Sequence, residues 1–215
     1  MMRILVTGFE PFAGETLNPA FEALSALPDT IAGAEIIRLR IPTVFETCDA
    51  VVEEAIETLA PDVVLCVGQA GGRFDISIER VAINLADGRI PDNAGDQPID
   101  RIIRSSGQNA YFATVPVKAM VERIRSKEIP ASVSYSAGTF VCNYIMYCVA
   151  HSIATDHPGM RSGFIHVPYM PSQAIGKASN TPTMSIETMV IAISAAIEAI
   201  VDTDIDLHTT EGQVC

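Results

Sequence analysis

The sequence predicts an α/β protein, a three-layer α/β/α sandwich with a mostly parallel central sheet, built as a single domain over residues 1–215. Three observations lead there. Short apolar runs of strand length alternate with stretches of helical spacing along the chain. One such run, Val63–Val67, has almost no polar residue, as expected of a strand covered on both faces. No repeat, linker or low-complexity segment divides the 215 residues, a length that buries about seventy per cent of the unfolded surface in one core.

Taken in order, Arg3–Thr7 is a short buried strand that runs into Gly8-Phe9-Glu10-Pro11-Phe12-Ala13-Gly14-Glu15, a turn-rich loop. Its glycines are too far apart for a dinucleotide fingerprint. Phe9 and Phe12 stand where α/β proteins tend to bind ligands, outside the carboxyl end of a strand; the alternative is two rings tucked against the core. Asn18-Pro19 starts a helix that continues through Phe21–Leu27. Glu35–Ile41 is a second strand. Thr47 caps a helix whose stripe is Cys48, Val52, Ala55, Ile56 and Leu59, and Pro61 ends it.

After the third strand comes Gly68-Gln69-Ala70-Gly71-Gly72-Arg73, a flexible loop able to cradle phosphate but lacking the Lys-Ser/Thr of a P-loop. Asp75–Asn84 alternates polar and apolar residues, with a one-residue slip at Glu79-Arg80 that marks a bulge. Those two charges either find buried partners or lie on a solvated edge strand. Asp87–Asp100 is a long irregular segment, of a length that often serves function. Helices follow at Pro116–Ser126, Phe140–Thr155 and from Ser185 onward, with strands at Ala131–Tyr135 and Ser162–Val167. The closing helix carries Ile186, Met189, Val190, Ile193, Ile197 and Ile200 on one stripe, and the acidic tail at 203–215 is expected to fray.

The balance of 14 basic against 26 acidic residues, a net charge of −12 with no basic run, argues against a nucleic-acid partner. The N-terminus looks like a first strand rather than a signal peptide, and the longest apolar segment, near Met189–Ile197, is too short to span a bilayer. Five cysteines at 48, 66, 142, 148 and 215 are irregularly spaced. They predict a reducing compartment with no disulfide framework and no structural zinc site; a cytoplasmic protein without metal or cofactor is the overall expectation. Cys148 and His151 share a helix face, but no further ligand pair lies nearby in sequence.

The chain contains no GxSxG elbow, HExxH or Walker motif. The stretch Ser136-Ala137-Gly138-Thr139-Phe140-Val141-Cys142-Asn143-Tyr144 puts turn-forming residues ahead of an apolar helix. Thr139 is its expected N-cap, which sets Cys142 in the first turn, where the helix dipole eases loss of a thiol proton. The plain alternative is a small buried cysteine. His166 combines an apolar strand with a strand end, and is either a satisfied core histidine or a base. Glu79, Cys142 and His166 together supply an orienting acid, a nucleophile and a base.

Six stretches in order, Gly8–Phe12, Gly68–Arg73, Glu79–Asn84, Ile90–Asn93, Ser136–Asn143 and His166–Pro168, resemble the pyroglutamyl peptidase I family of cytosolic cysteine exopeptidases. The resemblance runs from Arg3 to the last helix. It implies an α/β/α enzyme, often a homotetramer, that removes N-terminal pyroglutamyl residues from peptides. It further implies Glu79, Cys142 and His166 as catalytic residues and a ring pocket drawn from Phe9, Phe12, Asn18, Gln69, Ile90, Phe140 and Val141. Ala13, Gly88 and Tyr144 depart from the family pattern, where glycine, alanine and histidine are usual. Arg80 either offsets charge beside Glu79 or lines the site. Two other readings use the same residues: a phosphate-using transferase of the nucleoside phosphorylase type, with phosphate on Gly71-Gly72-Arg73, and a binding protein without turnover.

Overall fold

Apolar side chains alternate between two faces in the long strands, and helices cover each face. The computed structural model describes residues 1–212, so Cys215 lies outside the described residues. In chain order the elements are β1 (Arg3–Phe9), α1 (Pro19–Ser25), β2 (Thr30–Ile31), β3 (Ala34–Ile41), α2 (Cys48–Leu59), β4 (Val63–Gln69) and β5 (Ile76–Glu79). Then come β6 (Val81–Ile83), β7 (Ala110–Phe112), α3 (Val117–Arg125), β8 (Ala131–Ser134), α4 (Val141–Thr155), β9 (Arg161–Val167) and α5 (Ile186–Asp202). A short 3-10 turn, Pro171–Ala174, lies between β9 and α5. The three-layer arrangement matches the expectation from alternating strand and helix patterns.

On one face Ile4, Val6, Leu65, Val67 and Ile165 pack against Leu24 of α1, Met120 of α3 and Ile193 of α5. On the other Leu5, Val64, Cys66 and Phe164 meet Val52 and Ile56 of α2 and Ile145 of α4. Burial on both sides explains the unbroken apolar run of β4. The seven-stranded sheet has the order β2-β3-β1-β4-β9-β5-β8. Its strands β3, β1, β4 and β9 are parallel, β5 runs antiparallel to β9, and β2 runs antiparallel to β3. The carboxyl ends of β1, β4 and β9 therefore open on one edge, and α4 begins there.

Two local expectations are corrected. The stretch Asp75–Asn84 is not one bulged strand. It divides at Arg80, whose N–H donates to Ser134 O (2.7 Å), and β6 leaves to pair with β7 in a separate two-stranded sheet. Strand β5 sits between β9 and β8, so Glu79 is an interior residue with no exposed surface rather than one on a solvated edge. Arg80 points elsewhere, 3.6 Å from Asp206 and over the Phe112 ring. Helix α4 is not capped by Thr139 either. Phe140 is the N-cap, and the Thr139 hydroxyl donates to Asp87 O (2.8 Å). Thr47 does precede α2, but its side chain makes no capping bond.

The acidic segment after α5 makes specific contacts within its described part. Asp206 Oδ1 accepts from Lys118 N (3.1 Å) and Ala119 N (3.0 Å), supplying a carboxylate to the start of α3 where orphan N–H groups favour one. Glu211 forms a bidentate pair with Arg125. Ala13, standing where the family usually has glycine, takes a left-handed φ of 53°, a conformation that disfavours side chains by about 1–2 kcal/mol. Among the described residues no helix is long and apolar enough to cross a membrane.

Candidate active site

Side-chain parity brings the reactive groups together. Ile76 and Ile78 of β5 point to the α3/α5 face, so Ser77 and Glu79 point to the α4 face. Phe164 joins the α4-side core, and His166, two residues on, shares its direction. The antiparallel register sets Glu79 opposite Phe164 and Ser77 opposite His166, which puts Glu79 on the diagonal from the imidazole. The result is a 2.6 Å hydrogen bond between His166 Nδ1 and Glu79 Oε1, in a place where both side chains are buried.

Glu79 Oε1 also accepts from the Arg73 guanidinium at 2.7 Å. Arg73 donates in addition to Ser134 Oγ (3.4 Å) and Ser136 O (3.0 Å). Its guanidinium is thus turned onto the protein's own groups, which argues against the phosphate cradle. Burial pushes the Glu79 carboxyl up, but the hydrogen bond and charge of His166, helped by Ser134 and Arg73, outweigh it and leave it below its usual value. Burial pulls His166 below 6.5, against the raising influence of Glu79, so the ring is neutral at pH 7.

Cys142 occupies the second position of α4, before the first intrahelical bond, Tyr144 N–H to Phe140 O at 3.1 Å. Asn143 holds that turn in place: its amide donates to Ile83 O and Leu85 O (both 2.9 Å) and accepts from Ile83 N–H (3.0 Å). The residue keeps some exposed surface, yet its sulfur lies in a buried setting. Burial, with the nearby Glu79 and Cys66 charges, pushes the thiol up to about 12, although Arg73 pulls the other way. Burial thus opposes the easing expected at a helix N-terminus. Among the described residues no hydrogen bond joins Cys142 to His166, as is common before substrate binds.

Gly68 explains how the sulfur reaches the sheet. It pairs in register with His166, and a Cβ built on it would lie 2.9 Å from Cys142 Sγ and 2.8 Å from the Phe164 ring. Gly68→Ala is expected to displace the thiol and lower kcat about 100-fold, with a stability cost of about 1–3 kcal/mol. Steady-state kinetics beside thermal melts check this; an unchanged kcat would show that the thiol need not rest on the strand.

Beside the thiol lies a narrow cavity lined by Phe9, Phe12, Asn18, Thr43, Gln69, Phe140, Val141 and Cys142, with free space for about one water molecule. Six of the seven pocket residues expected from the resemblance meet here. Ile90 does not line it; it is half-buried in the 87–100 segment. Thr43 also lines the cavity, and one threonine between strand and helix carries no sequence pattern that marks it. The 87–100 segment braces the walls instead: Asn93 bonds Thr43 O (3.1 Å) and Pro11 O (2.9 Å), and Asp87 N–H bonds Thr139 O (2.9 Å). Phe12 and Phe140 rings stand 6.3 Å apart, and Phe140, Phe45 and Tyr144 continue edge to face. Clefts of about 340 Å³ between α2 and α4 and about 550 Å³ beside Arg73 are larger but include neither Cys142 nor His166.

Cys148 and His151 both border the α2/α4 cleft, where His151 Nδ1 bonds Tyr111 OH at 2.9 Å. Glu53, Glu57 and His157 bring ligand-type atoms within 4.8 Å of one another between α2 and the turn after α4. Two are carboxylates and His157 already pairs with Glu53 at 3.2 Å, an arrangement that surface ion pairs produce without a metal.

A buried acid, a neutral imidazole and a thiol thus stand near a narrow cavity, a set of groups that could carry acyl transfer through sulfur. The family model described as pyroglutamyl peptidase matches residues 2–203. A pyrrolidone-carboxylate peptidase of Finegoldia magna is 52% identical over 212 residues, 99% of each chain. One from Enterococcus faecalis is 53% identical over 211 residues, 98% of this chain and 99% of its own. The crystal structure of pyroglutamyl peptidase I from Bacillus amyloliquefaciens superposes with a TM-score of 0.94 at 44% identity, covering 97% of this chain and 99% of that one. A mutant pyrrolidone carboxyl peptidase from Pyrococcus furiosus gives 0.89 at 42%, covering 94% and 99%. By class the protein is a cysteine-type hydrolase, an omega peptidase. The chain belongs to the pyroglutamyl peptidase family.

Proposed function

We propose that the protein hydrolyses the N-terminal pyroglutamyl residue from peptides through a thioacyl-enzyme, with Cys142 as nucleophile, His166 as base and then acid, and Glu79 as orienter. The observation that carries this is the buried 2.6 Å bond from Glu79 to His166 Nδ1, which leaves Nε2 as the ring's free nitrogen on the face shared with Cys142. Thiol and imidazole are both neutral at pH 7, so the proton moves during attack and not before it. Sulfur bonds to the pyroglutamyl carbonyl carbon while the thiol proton passes to Nε2. The carbonyl oxygen takes up the displaced electron pair and is met by N–H groups of the first turn of α4. Collapse breaks the C–N bond, and the imidazolium protonates the departing amine. Water, deprotonated by His166, then cleaves the thioester and frees pyroglutamate.

Pyroglutamate presents no ammonium, and among the described residues none lining the cavity carries a carboxylate to hold one. Its ring would lie between Phe12 and Phe140 over Phe9 and Val141, with Asn18 shaping the loop behind them. The ring is larger than one water, so its entry widens the Phe12–Phe140 gap. Lactam C=O and N–H need polar partners in this apolar space, and Gln69 and Thr43 are at hand. A proline amide has the ring without the carbonyl and would leave such a partner unpaired. Pyroglutamyl amides are expected to exceed proline amides in kcat/KM by about 10⁴–10⁵. Comparable release of a reporter amine from both would overturn the ring reading.

A further inference from the structure

The geometry points to Gln173 as the positioning residue that sets which end of the Gln69 amide faces the ring cavity. The inference rests on the proposed function for its ligand but not for its logic. Gln173 is a buried residue of the 3-10 turn after β9. Its side chain contacts two groups, Met170 N at 3.0 Å and Gln69 at 2.9 Å. A backbone N–H can only donate, so the Gln173 atom facing Met170 is its carbonyl Oε1. The other end is then Nε2, which can only donate, so the Gln69 atom facing it is Oε1. Gln69 lines the cavity, and what it has left to offer there is Nε2. One fixed backbone donor thus passes its polarity through two amides to the cavity wall.

The other polar groups of the cavity agree with that assignment. Asn18 has both ends engaged within the protein, Oδ1 by Ala20 N–H (3.1 Å) and Nδ2 by Glu10 O (3.2 Å). The Thr43 hydroxyl donates to Glu10 O at 2.8 Å and keeps lone pairs to accept with. Gln69 therefore supplies the donor for a lactam C=O and Thr43 the acceptor for a lactam N–H. A free glutamine could turn either end inward; Gln173 removes that choice.

Gln173→Glu tests this. One carboxylate oxygen still accepts from Met170 N–H, but the other also accepts, so Gln69 turns to donate to it and shows Oε1 to the cavity. Two probes read the change: 2-pyrrolidone, and 2-iminopyrrolidine, whose exocyclic nitrogen donates where the lactam oxygen accepts. Protection of Cys142 from iodoacetamide is measured with each, a readout that needs no turnover. The wild type is expected to favour the lactam, and Gln173→Glu to weaken it about tenfold or more while strengthening the amidine. Gln173→Leu, which frees Gln69 without turning it, is expected to weaken the lactam with no gain for the amidine. Equal loss for both probes in Gln173→Glu, or a gain matched by pyrrolidine, which carries charge without the exocyclic donor, would overturn the inference. If Gln173→Glu fails to fold, Gln69→Glu is expected to reverse the probe order by placing an acceptor directly at the wall, and an unreversed order there would overturn it. Absence of pyroglutamyl amide hydrolysis by the wild type would instead defeat the proposed function and leave the probe order measurable.

Discussion

Cys142→Ala is expected to lower kcat on a pyroglutamyl amide by about 10⁵–10⁶ while leaving the fold intact. The size of the loss follows from the mechanism, since without sulfur no thioester forms and water alone must attack. The cavity and the first-turn N–H groups of α4 remain, so binding of a lactam should survive. Stability should change little, because the sulfur is the only atom removed and its neighbours, Gly68 and the Phe164 ring, already pack closely. Steady-state assays at high enzyme concentration, beside a thermal melt, check both halves. Retention of wild-type turnover would move the nucleophile elsewhere; Cys66, Cys48 and Cys148 are poor replacements because each is buried and none lines the cavity that Cys142 borders.

Glu79→Gln is expected to cost about 10²–10⁴ in kcat. The carboxylate accepts from both His166 Nδ1 and Arg73 at one oxygen. An amide oxygen in its place can still accept from both, but it carries no charge and no longer stabilises the imidazolium formed during attack. The pH dependence carries the sign. Burial lowers the His166 pKa and Glu79 raises it, with the net result below 6.5. In the wild type kcat/KM should therefore rise with pH through a value below 6.5, as the ring loses its proton, and then level off. Removing the Glu79 charge removes a raising influence, so in Glu79→Gln the acid limb should move to still lower pH while the plateau drops. An acid limb that moved upward would contradict the assignment of Glu79 as partner to the histidine.

Much of the fold was legible because its signals are local. Short apolar runs of strand length mark the central strands, buried on both faces, and helical spacing marks α2 and α5. The departures were decided by long-range partners. Thr139 looked like a cap until Asp87, 52 residues earlier, took its hydroxyl. The division at Arg80 depends on β7, a three-residue strand too short to announce itself. Glu79 was ambiguous for the same reason: an acid in an apolar strand is either edge or interior, and strand order is not written in the strand. Arg73 invited a reading as an anion ligand, since nothing in a glycine-rich loop shows that the guanidinium turns back to a carboxylate six residues on. Gln173 lies in a polar stretch without periodicity, and only the fold brings it to Gln69.

The most direct measurement is the intact mass of the protein after rapid mixing with a pyroglutamyl ester and acid quench, followed by peptide mapping. A transient mass gain of one pyroglutamyl group is expected, lost on longer incubation, mapped to Cys142 and absent in Cys142→Ala. Turnover with no such adduct under conditions where deacylation is slow, or an adduct on any other residue, would contradict it.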